Sequence, residues 1–254
     1  MLNVSDSSVD NAADFQTEID GVFGRIAARY NLLCDLFSFG THRLWKRRIA
    51  ALIAGEPWTN LLDGAAGTGD VVIRIAKRKH STTRQTVVVS DISPNMLAIA
   101  RARAIGLGQA IEFRVLDAQD MPSIADESFD QYCISLALKI CKRQPVLREA
   151  LRILRPGGRL VTLETSHIPW AWAERAYLAY LTIYVPLIGW LAAAGDAPAY
   201  RYIVKTIREF PTAEAFAIEL SDIGFEAVTF ERLSFGIAAI HVAVKPRGRP
   251  ASIA

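Results

Sequence analysis

The chain has 254 residues, of which 51% are hydrophobic and 22% are charged, and its formal net charge is +3. This length and composition are typical of one globular α/β domain with a small appendage, and the weak positive charge does not indicate a nucleic-acid partner. Three cysteines, none of them in a C-x-x-C pair, suit a reducing compartment and predict neither a zinc site nor a disulfide framework.

The first predicted elements are an irregular tail and a helical block. Residues 1–17 are polar, rich in Ser and Asp, and carry no apolar signal segment. We therefore expect them to be disordered and the protein to be cytoplasmic. Residues 18–57 have a helical pattern, and we expect them to form a lid over the carboxyl edge of a sheet, where ligands bind in open α/β folds.

From residue 58 onward, short apolar runs alternate with helical stretches, which predicts parallel strands joined by crossover helices. The predicted strands are 60–63, 86–90, 111–115, 131–135, 159–164, 226–232 and 237–244. The last two lie close together and should form an antiparallel hairpin at one edge. The predicted fold is therefore a Rossmann-like α/β fold with a seven-stranded, mostly parallel sheet. The predicted units are a cofactor-binding core at 58–169, a helical insertion around the substrate pocket at 170–222, the last strands at 223–246 and a tail at 247–254.

The first predicted strand leads into a Gly-rich turn at residues 61–70 and then into a helix at 71–79. Gly67 and Gly69 allow a ligand close to the backbone, and the start of the helix offers free N–H groups to a carboxylate. A tight turn without a ligand is the structural alternative. Because Val72 occupies the third glycine position of the pattern G-x-G-x-x-G, a pyrophosphate ligand is disfavoured.

Acidic residues follow the next two predicted strands. Asp91 can accept both hydroxyls of a ribose, as NAD enzymes also do. Asp117 can accept the exocyclic amine of adenine, and the small Ala118 lets a backbone N–H reach a ring nitrogen, an arrangement found in methyltransferases. A solvated turn is the alternative for this pair. The order and spacing of these motifs predict S-adenosylmethionine as the cofactor, and they disfavour NAD.

An uncharged segment at residues 176–194 nearly reaches membrane-spanning length, but Pro186 and Gly189 interrupt it. A transmembrane helix is therefore disfavoured. A buried core helix, a wall around an apolar substrate and a surface that touches lipid remain open. Peripheral membrane contact and a homodimer are kept as alternatives for the whole protein.

Beyond these motifs, the chain resembles the ubiquinone/menaquinone biosynthesis C-methyltransferases from about residue 22 to residue 245. The specific stretches are Tyr30-Asn31 with residues 35–47, residues 195–196 with 200–202 and 207–208, and residues 239–241. The resemblance implies methylation of a ring carbon of a prenylated quinol precursor, and it places Tyr200, Arg201 and His241 near this acceptor. Together, the turns and the resemblance give as cofactor contacts Tyr30, Asp63, Gly64, Gly67, Thr68, Asp91, Ile92, Asp117, Ala118 and Ser135.

Two departures from the family pattern fall where the acceptor should bind. The family's S-F-G-L-R-N reads here as residues 135–140, with Lys139 in place of Arg and Ile140 in place of Asn. Its E-F-S-K reads here as residues 164–167 and ends in His167. Arg and Lys differ at hydrogen-bonding sites, and Ile140 has no polar side-chain group. The cofactor half of the pattern is therefore kept, and the acceptor half is changed.

Methylation of a ring carbon requires a phenol proton to be removed, so that negative charge reaches the ortho carbon. Lys139 and His167 are the candidate bases. A snorkelling lysine and an ordinary hydrogen-bonded histidine are the structural alternatives. No residue cluster has metal-ligand spacing, so we expect no metal. Three functions remain: the quinol C-methyltransferase, the same fold retargeted to another small aromatic or specialised metabolite, and a non-catalytic cofactor-binding member of a biosynthetic complex.

Overall fold

The computed structural model describes residues 34–35, 37–78, 85–107, 110–192 and 204–248, and for residues 185–192 it describes the backbone alone. One sheet of seven strands organises these residues. The strands are β1 (Asn60–Gly64), β2 (Thr86–Asp91), β3 (Ala110–Val115), β4 (Phe129–Ser135), β5 (Leu154–Thr165), β6 (Glu226–Leu233) and β7 (Ala238–Val244). Their order in the sheet is β3-β2-β1-β4-β5-β7-β6. The predicted seven-stranded Rossmann-like fold is confirmed.

Strand pairing is parallel from β3 through β5 and antiparallel at the other end. β1 pairs in parallel with both β2 and β4, and β7 pairs antiparallel with both β5 and β6. The central strands are buried on both faces, so a run such as Val87, Val88 and Val89 has no polar alternation. Because β1 to β5 run the same way, their carboxyl ends meet at one edge of the sheet.

Helices cover both faces of the sheet. They are α1 (Thr41–Ala54), α2 (Asp70–Ala76), α3 (Pro94–Arg103), α4 (Arg143–Ile153), α5 (Ala171–Ala192) and α6 (Ala213–Ile223). One buried cluster joins α1, α2 and α3 to the sheet, and a second joins α4 and α6 to the opposite face. Ser93 caps α3 as its position before Pro94 predicts, since its hydroxyl accepts from the Met96 N–H.

The helical block before the sheet differs from the expected lid. Helix α1 packs against α2 and β5, and it buries Trp45, Ile49 and Ile53 in the cluster on that face. The described part of the block is thus a component of a helical layer. A lid in the preceding residues remains a prediction, because residues 1–33 lie outside the described part of the chain.

The uncharged segment also differs from its predicted form. Helix α5 runs without a break through Pro186 and Gly189. Residues 193–194, the end of the predicted segment, lie outside the described residues. Within the part of the chain that the structure describes, no helix is long and apolar enough to cross a membrane.

Candidate functional site

The carboxyl edge of the parallel strands brings the sequence motifs together in the order of the strands. Asp117 follows β3, Asp91 ends β2, and the Gly-rich turn follows β1. Ser135 ends β4, and Glu164 lies near the end of β5. The expected adenine, ribose and loop contacts therefore occupy three adjacent strands, and the changed acceptor motifs occupy the next two.

Asp91 fixes the Gly-rich turn. Its Oδ2 accepts a hydrogen bond of 2.7 Å from the Gly67 N–H, and its Oδ1 accepts one of 2.9 Å from the Ser93 N–H. A carboxylate oxygen has more than one acceptor direction, so both oxygens keep capacity for further donors. Asp91 is thus held by the backbone in a position where ribose hydroxyls could reach it. The neighbouring Ile92 is partly exposed beside it.

Gly67 leaves an open space over the turn. Its φ is +56°, a left-handed conformation, and a Cβ built at this position meets no atom within 4 Å. Gly64 differs, because a Cβ there would lie 2.4 Å from the Tyr132 hydroxyl. The turn is therefore closed by Tyr132 below Gly64 and open above Gly67, where a ligand could approach the backbone.

We expect Gly67→Ala to weaken binding of S-adenosylmethionine by about tenfold or more, because its methyl group would occupy the open space. Gly106→Ala is the matched control. It also lies at a positive φ, +81°, with no atom within 4 Å of an added Cβ, but in the turn after α3. Both variants should lose about 1 kcal/mol of stability from backbone strain. Calorimetry should show weaker cofactor binding for Gly67→Ala alone, and equal affinities would contradict this assignment.

The expected adenine contacts lie in a short turn after β3. The Asp117 carboxylate accepts from the Gln119 N–H at 2.9 Å, and Ala118 is buried. Arg152 of α4 holds this connection from below by donating to the main-chain oxygens of Met121 and Ile124. The turn is therefore supported by α4 rather than by its own backbone alone.

Asp63 is the buried acid beneath the Gly-rich turn. It is 1% exposed, and no N–H or O–H group among the described residues donates to either carboxylate oxygen, which leaves the Cys133 thiol, a weak donor, as its neighbour. Burial raises its pKa to about 7, although the neighbouring Cys133 thiol and the positive charge of Lys46 act in the opposite direction. A buried acid without a partner is costly unless a ligand or a proton satisfies it. This orphaned group at the base of an open turn fits a cofactor that brings a cation or a donor.

The raised pKa of Asp63 gives a pH-dependent stability. Because the folded-state pKa of about 7 lies above the ordinary value of 3.8, stability should fall as the pH rises between these two values. Asp63→Asn removes this titration. Without cofactor, the variant's free energy of unfolding relative to the wild type should rise between about pH 4 and about pH 7 and stay constant above. Urea denaturation across this range is the measurement, and a difference independent of pH would contradict the assignment.

Lys139 and Glu164 form a buried ion pair beside the end of β4. The Lys139 Nζ lies 3.2 Å from Glu164 Oε2 and also donates to the Leu136 carbonyl. Glu164 Oε1 accepts from the Leu138 N–H at 2.6 Å. The exposed fractions of the two side chains are 8% and 1%. Lys139 is therefore neither a snorkelling surface residue nor an unpaired base, since its ammonium group already has two acceptors.

The loop that carries Lys139 is strained. Leu136 has a φ of +58°, which is unfavourable for a residue with a branched side chain. Its N–H donates to the Leu163 carbonyl at 2.7 Å, and its own carbonyl accepts from Lys139. Glu164 holds the same loop at Leu138. The pair thus fixes the connection after β4 through hydrogen bonds to Leu136 and Leu138. Strained backbone of this kind is often found at functional sites.

Cys141 indicates that these groups share one region. Burial, together with the negative charges of Glu164, Asp117 and Asp91, raises the pKa of its thiol to about 12, whereas Lys139 acts in the opposite direction. Asp91, Asp117 and the Lys139–Glu164 pair therefore all act on the same thiol. Among the described residues, no group of three or more His, Cys, Asp or Glu could hold a metal ion.

The two other candidate residues have structural partners. His167 Nδ1 lies 2.7 Å from Glu174, and its Nε2 lies 2.7 Å from the Phe210 carbonyl. Both ring nitrogens of His167 therefore face acceptors within the protein, so this geometry does not support a base at His167.

His241 was expected to contact the acceptor, and the structure places it in the core instead. It lies in the middle of β7, is 2% exposed, and packs edge-on against Phe216. Its Nε2 lies 2.8 Å from the Ala213 carbonyl, and burial lowers its pKa to about 4. His241 is thus a neutral core residue between the sheet and α6, because its strand places it away from the carboxyl edge.

Some expected contacts cannot be placed. Tyr30, Tyr200 and Arg201 lie outside the residues that the structure describes. In contrast, Glu164 emerges as a site residue that the sequence identified only as part of a changed motif. Its buried position near the end of a parallel strand is the signal that could have indicated it, because an acid there needs a partner.

Comparison with known proteins adds to this geometry. The model of the ubiE/COQ5 methyltransferase family matches residues 11–245. The ubiquinone/menaquinone biosynthesis C-methyltransferase UbiE of Nitrobacter hamburgensis is 41% identical over 236 residues, which cover 90% of this chain and 91% of that protein. The protein of the same name from Roseobacter denitrificans is 39% identical, and the match covers 88% of each chain.

Solved structures share the fold at low identity. A methyltransferase of Thermotoga maritima that depends on S-adenosylmethionine, a possible histamine N-methyltransferase, has a TM-score of 0.61 and 18% identity, covering 89% of this chain and 98% of its own. The [4+2]-cyclase SpnF has a TM-score of 0.57 and 21% identity, covering 80% and 81%. These likenesses establish the fold alone.

Proposed function

The chain belongs to the ubiE/COQ5 methyltransferase family, and from this we propose that it methylates a ring carbon of a prenylated quinol precursor with S-adenosylmethionine as methyl donor. The observation that carries the proposal is the arrangement along the sheet edge. Cofactor-type groups follow β3, β2 and β1, and the buried Lys139–Glu164 pair lies directly beside them at β4 and β5.

The residues present fit this cofactor. Asp117 and Ala118 would hold the adenine, Asp91 the ribose, and the turn from Asp63 to Thr68 the methionine part, with Ile92 and Ser135 alongside. Support comes from the open space over Gly67 and from the orphaned Asp63 carboxylate. The bound cofactor would supply an activated methyl group on a positively charged sulfur. The protein's own task is then to align the acceptor and to make its ring carbon nucleophilic.

For the acceptor, we assign Lys139 an electrostatic role. Its ammonium group is held by the Leu136 carbonyl and by Glu164, so the cationic end of a charge-neutral ion pair is fixed next to the cofactor half of the edge. An ammonium group in this position would favour the deprotonated form of a phenol oxygen, whose proton would pass to solvent water, and would thereby raise electron density at the ortho carbon. This role replaces direct proton abstraction, for which the geometry around Lys139 leaves little room.

Binding and turnover test the proposal together. Calorimetry should show binding of S-adenosylmethionine and of its demethylated product but no binding of NAD. A methyl-transfer assay on a demethylated quinol should show turnover by the wild type. The variant Lys139→Arg with Ile140→Asn, which restores the family pattern, should keep or raise this turnover, because a bidentate donor and an amide return together. Absence of turnover by both proteins with cofactor bound would end the quinol proposal.

A retargeted acceptor is the second candidate, and Ile140 is the observation that favours it. Ile140 places an apolar side chain where the family pattern has an amide, in the short helical turn Leu138–Ile140 beside the site. If the acceptor lacks a matching polar group, the same double variant should depress activity on it, since a buried amide without a partner costs about 1–3 kcal/mol. The direction of the change in turnover therefore separates the two candidates.

We further propose peripheral contact with a membrane surface, from which a prenylated acceptor could enter. Supporting it are exposed aromatic side chains around the site: Phe235 between β6 and β7, and Trp170 and Trp172 at the start of α5, are 78%, 53% and 76% exposed. Phe39 is 69% exposed before α1. Such side chains favour the interface between lipid and water.

Co-sedimentation with anionic phospholipid vesicles tests this contact. Trp172→Ser with Phe235→Ser should reduce the bound fraction severalfold. The matched control is Ile105→Ser with Ile218→Ser, which removes two exposed apolar side chains elsewhere on the molecule. Alkaline carbonate should release the wild type from membranes. Equal binding by the two double variants would contradict the assigned surface.

A further inference from the structure

A charged network holds the Gly-rich turn at atoms other than the one that Asp91 holds. Arg103, the last residue of α3, donates through Nη1 to both the carbonyl oxygen and the hydroxyl of Thr68, each at 2.8 Å. Its Nη2 donates to the Asp70 carboxylate. One guanidinium group thus bonds the turn at three atoms.

Asp70 also links the turn to a second helix, α1. Its Oδ2 lies 3.0 Å from the Nζ of Lys46 on α1, and the exposed fractions of the two side chains are 9% and 8%. Burial opposes the charged form of Asp70, but Lys46 and Arg103 outweigh it and keep the pKa of the carboxyl well below its ordinary value. The acid is therefore charged across the physiological range, and the turn is tied to α1 and α3 together.

The turn needs such support because its backbone is unusual. Ala65, Gly67 and Gly69 have φ values of +49°, +56° and +74°, so three of five consecutive residues are left-handed. Conformations of this kind persist only where the surroundings determine them. Asp91 bonds the N–H of Gly67 on one side, and Arg103 bonds Thr68 on the other.

We propose that Arg103 is a positioning residue for the methionine end of the cofactor: through Thr68 and Asp70 it holds the Gly-rich turn in the conformation that receives this end. The inference rests on the proposed function, which places adenine at β3, ribose at β2 and the methionine part at β1. Arg103 bonds Thr68 and Asp70, and its described contacts do not include Asp91 or Asp117. Replacing Arg103 should therefore weaken binding of the methionine end of the ligand and leave binding of the adenosine end unchanged.

Calorimetry with two ligands tests this. S-adenosylhomocysteine contains the amino-acid end, and methylthioadenosine lacks it. Arg103→Leu should lower the affinity for S-adenosylhomocysteine by about tenfold to a hundredfold, which is the scale expected when a binding element is misplaced. Methylthioadenosine should bind the variant as it binds the wild type. Arg103→Lys should retain part of the affinity for S-adenosylhomocysteine, because a lysine reaches Asp70 or Thr68 but does not bond both in a fixed fork.

Arg101→Leu is the matched control, since it removes the same charge from the same helix and Arg101 lies over the Phe113 ring instead of the turn. It should leave both affinities unchanged. Equal binding of S-adenosylhomocysteine by Arg103→Leu and wild type would overturn the inference, as would equal weakening of both ligands. If Arg103→Leu does not fold, Arg103→Lys takes its place. Its affinity for S-adenosylhomocysteine should then be lower than that of the wild type, and its affinity for methylthioadenosine should be unchanged. A wild type that binds neither ligand overturns the proposed function and this inference with it.

Discussion

Replacing Lys139 by methionine should lower the free energy of unfolding by about 3–5 kcal/mol, the usual cost of removing one partner from a buried ion pair. The Glu164 carboxylate is 1% exposed, and in the variant it would keep only the Leu138 N–H as a donor among its described contacts. The strained carbonyl of Leu136 would lose the same ammonium group. Among single substitutions in the loop after β4, this one should therefore lower the free energy of unfolding the most.

Urea denaturation without cofactor measures this effect, with two controls. Lys142→Met removes an exposed lysine three residues along the chain and should change the free energy of unfolding by less than about 0.5 kcal/mol. Lys139→Arg keeps the charge and should retain most of the stability. Equal transition midpoints for the two methionine variants would show that the ion pair does not hold the loop.

Asp91→Ala should weaken binding of S-adenosylmethionine by about 1–3 kcal/mol, or roughly 5- to 150-fold in dissociation constant. The carboxylate would be lost both as an acceptor for ribose hydroxyls and as the acceptor that holds Gly67 and Ser93. The fold should survive, because Asp91 ends its strand and is not a member of either hydrophobic cluster.

Calorimetry on folded protein measures the affinity, and Asp222→Ala on the exposed face of α6 controls for the loss of a negative charge. Asp91→Asn should lie between the wild type and Asp91→Ala, since the amide keeps one acceptor oxygen and loses the other. An unchanged affinity in Asp91→Ala would show that the ribose lies elsewhere, and the order of groups along the sheet edge would have to be revised.

The strands were predictable because a buried strand appears in the sequence as a short run of apolar residues between polar turns. A run such as Val87–Val89 between polar turns predicts a buried strand, and the structure moves the strand ends by only one or two residues except at β5. That strand begins at Leu154 instead of residue 159, because Phe129 pairs with Leu154 and the register shifts before Gln131. The turns that we assign to the cofactor were predictable as turns for the same reason, since each follows its strand directly.

Contacts between distant segments were not predictable in this way. The sequence does not reveal that Lys139 meets Glu164, because the pairing depends on how the loop after β4 lies against β5. His241 was assigned to the acceptor from a short matching stretch, but the antiparallel pairing of β7 places it in the core. Pro186 predicted a break that α5 does not show.

The position of β7 also bears on how the chain is made. This strand comes last in the sequence of strands, yet it lies between β5 and β6 and pairs with both. A chain emerging from the ribosome therefore carries two unpaired edges until residues 238–244 have been synthesised, and such edges can pair with other chains. Completion of the sheet must therefore follow the synthesis of its last strand, and β5 and β6 pair with it only then.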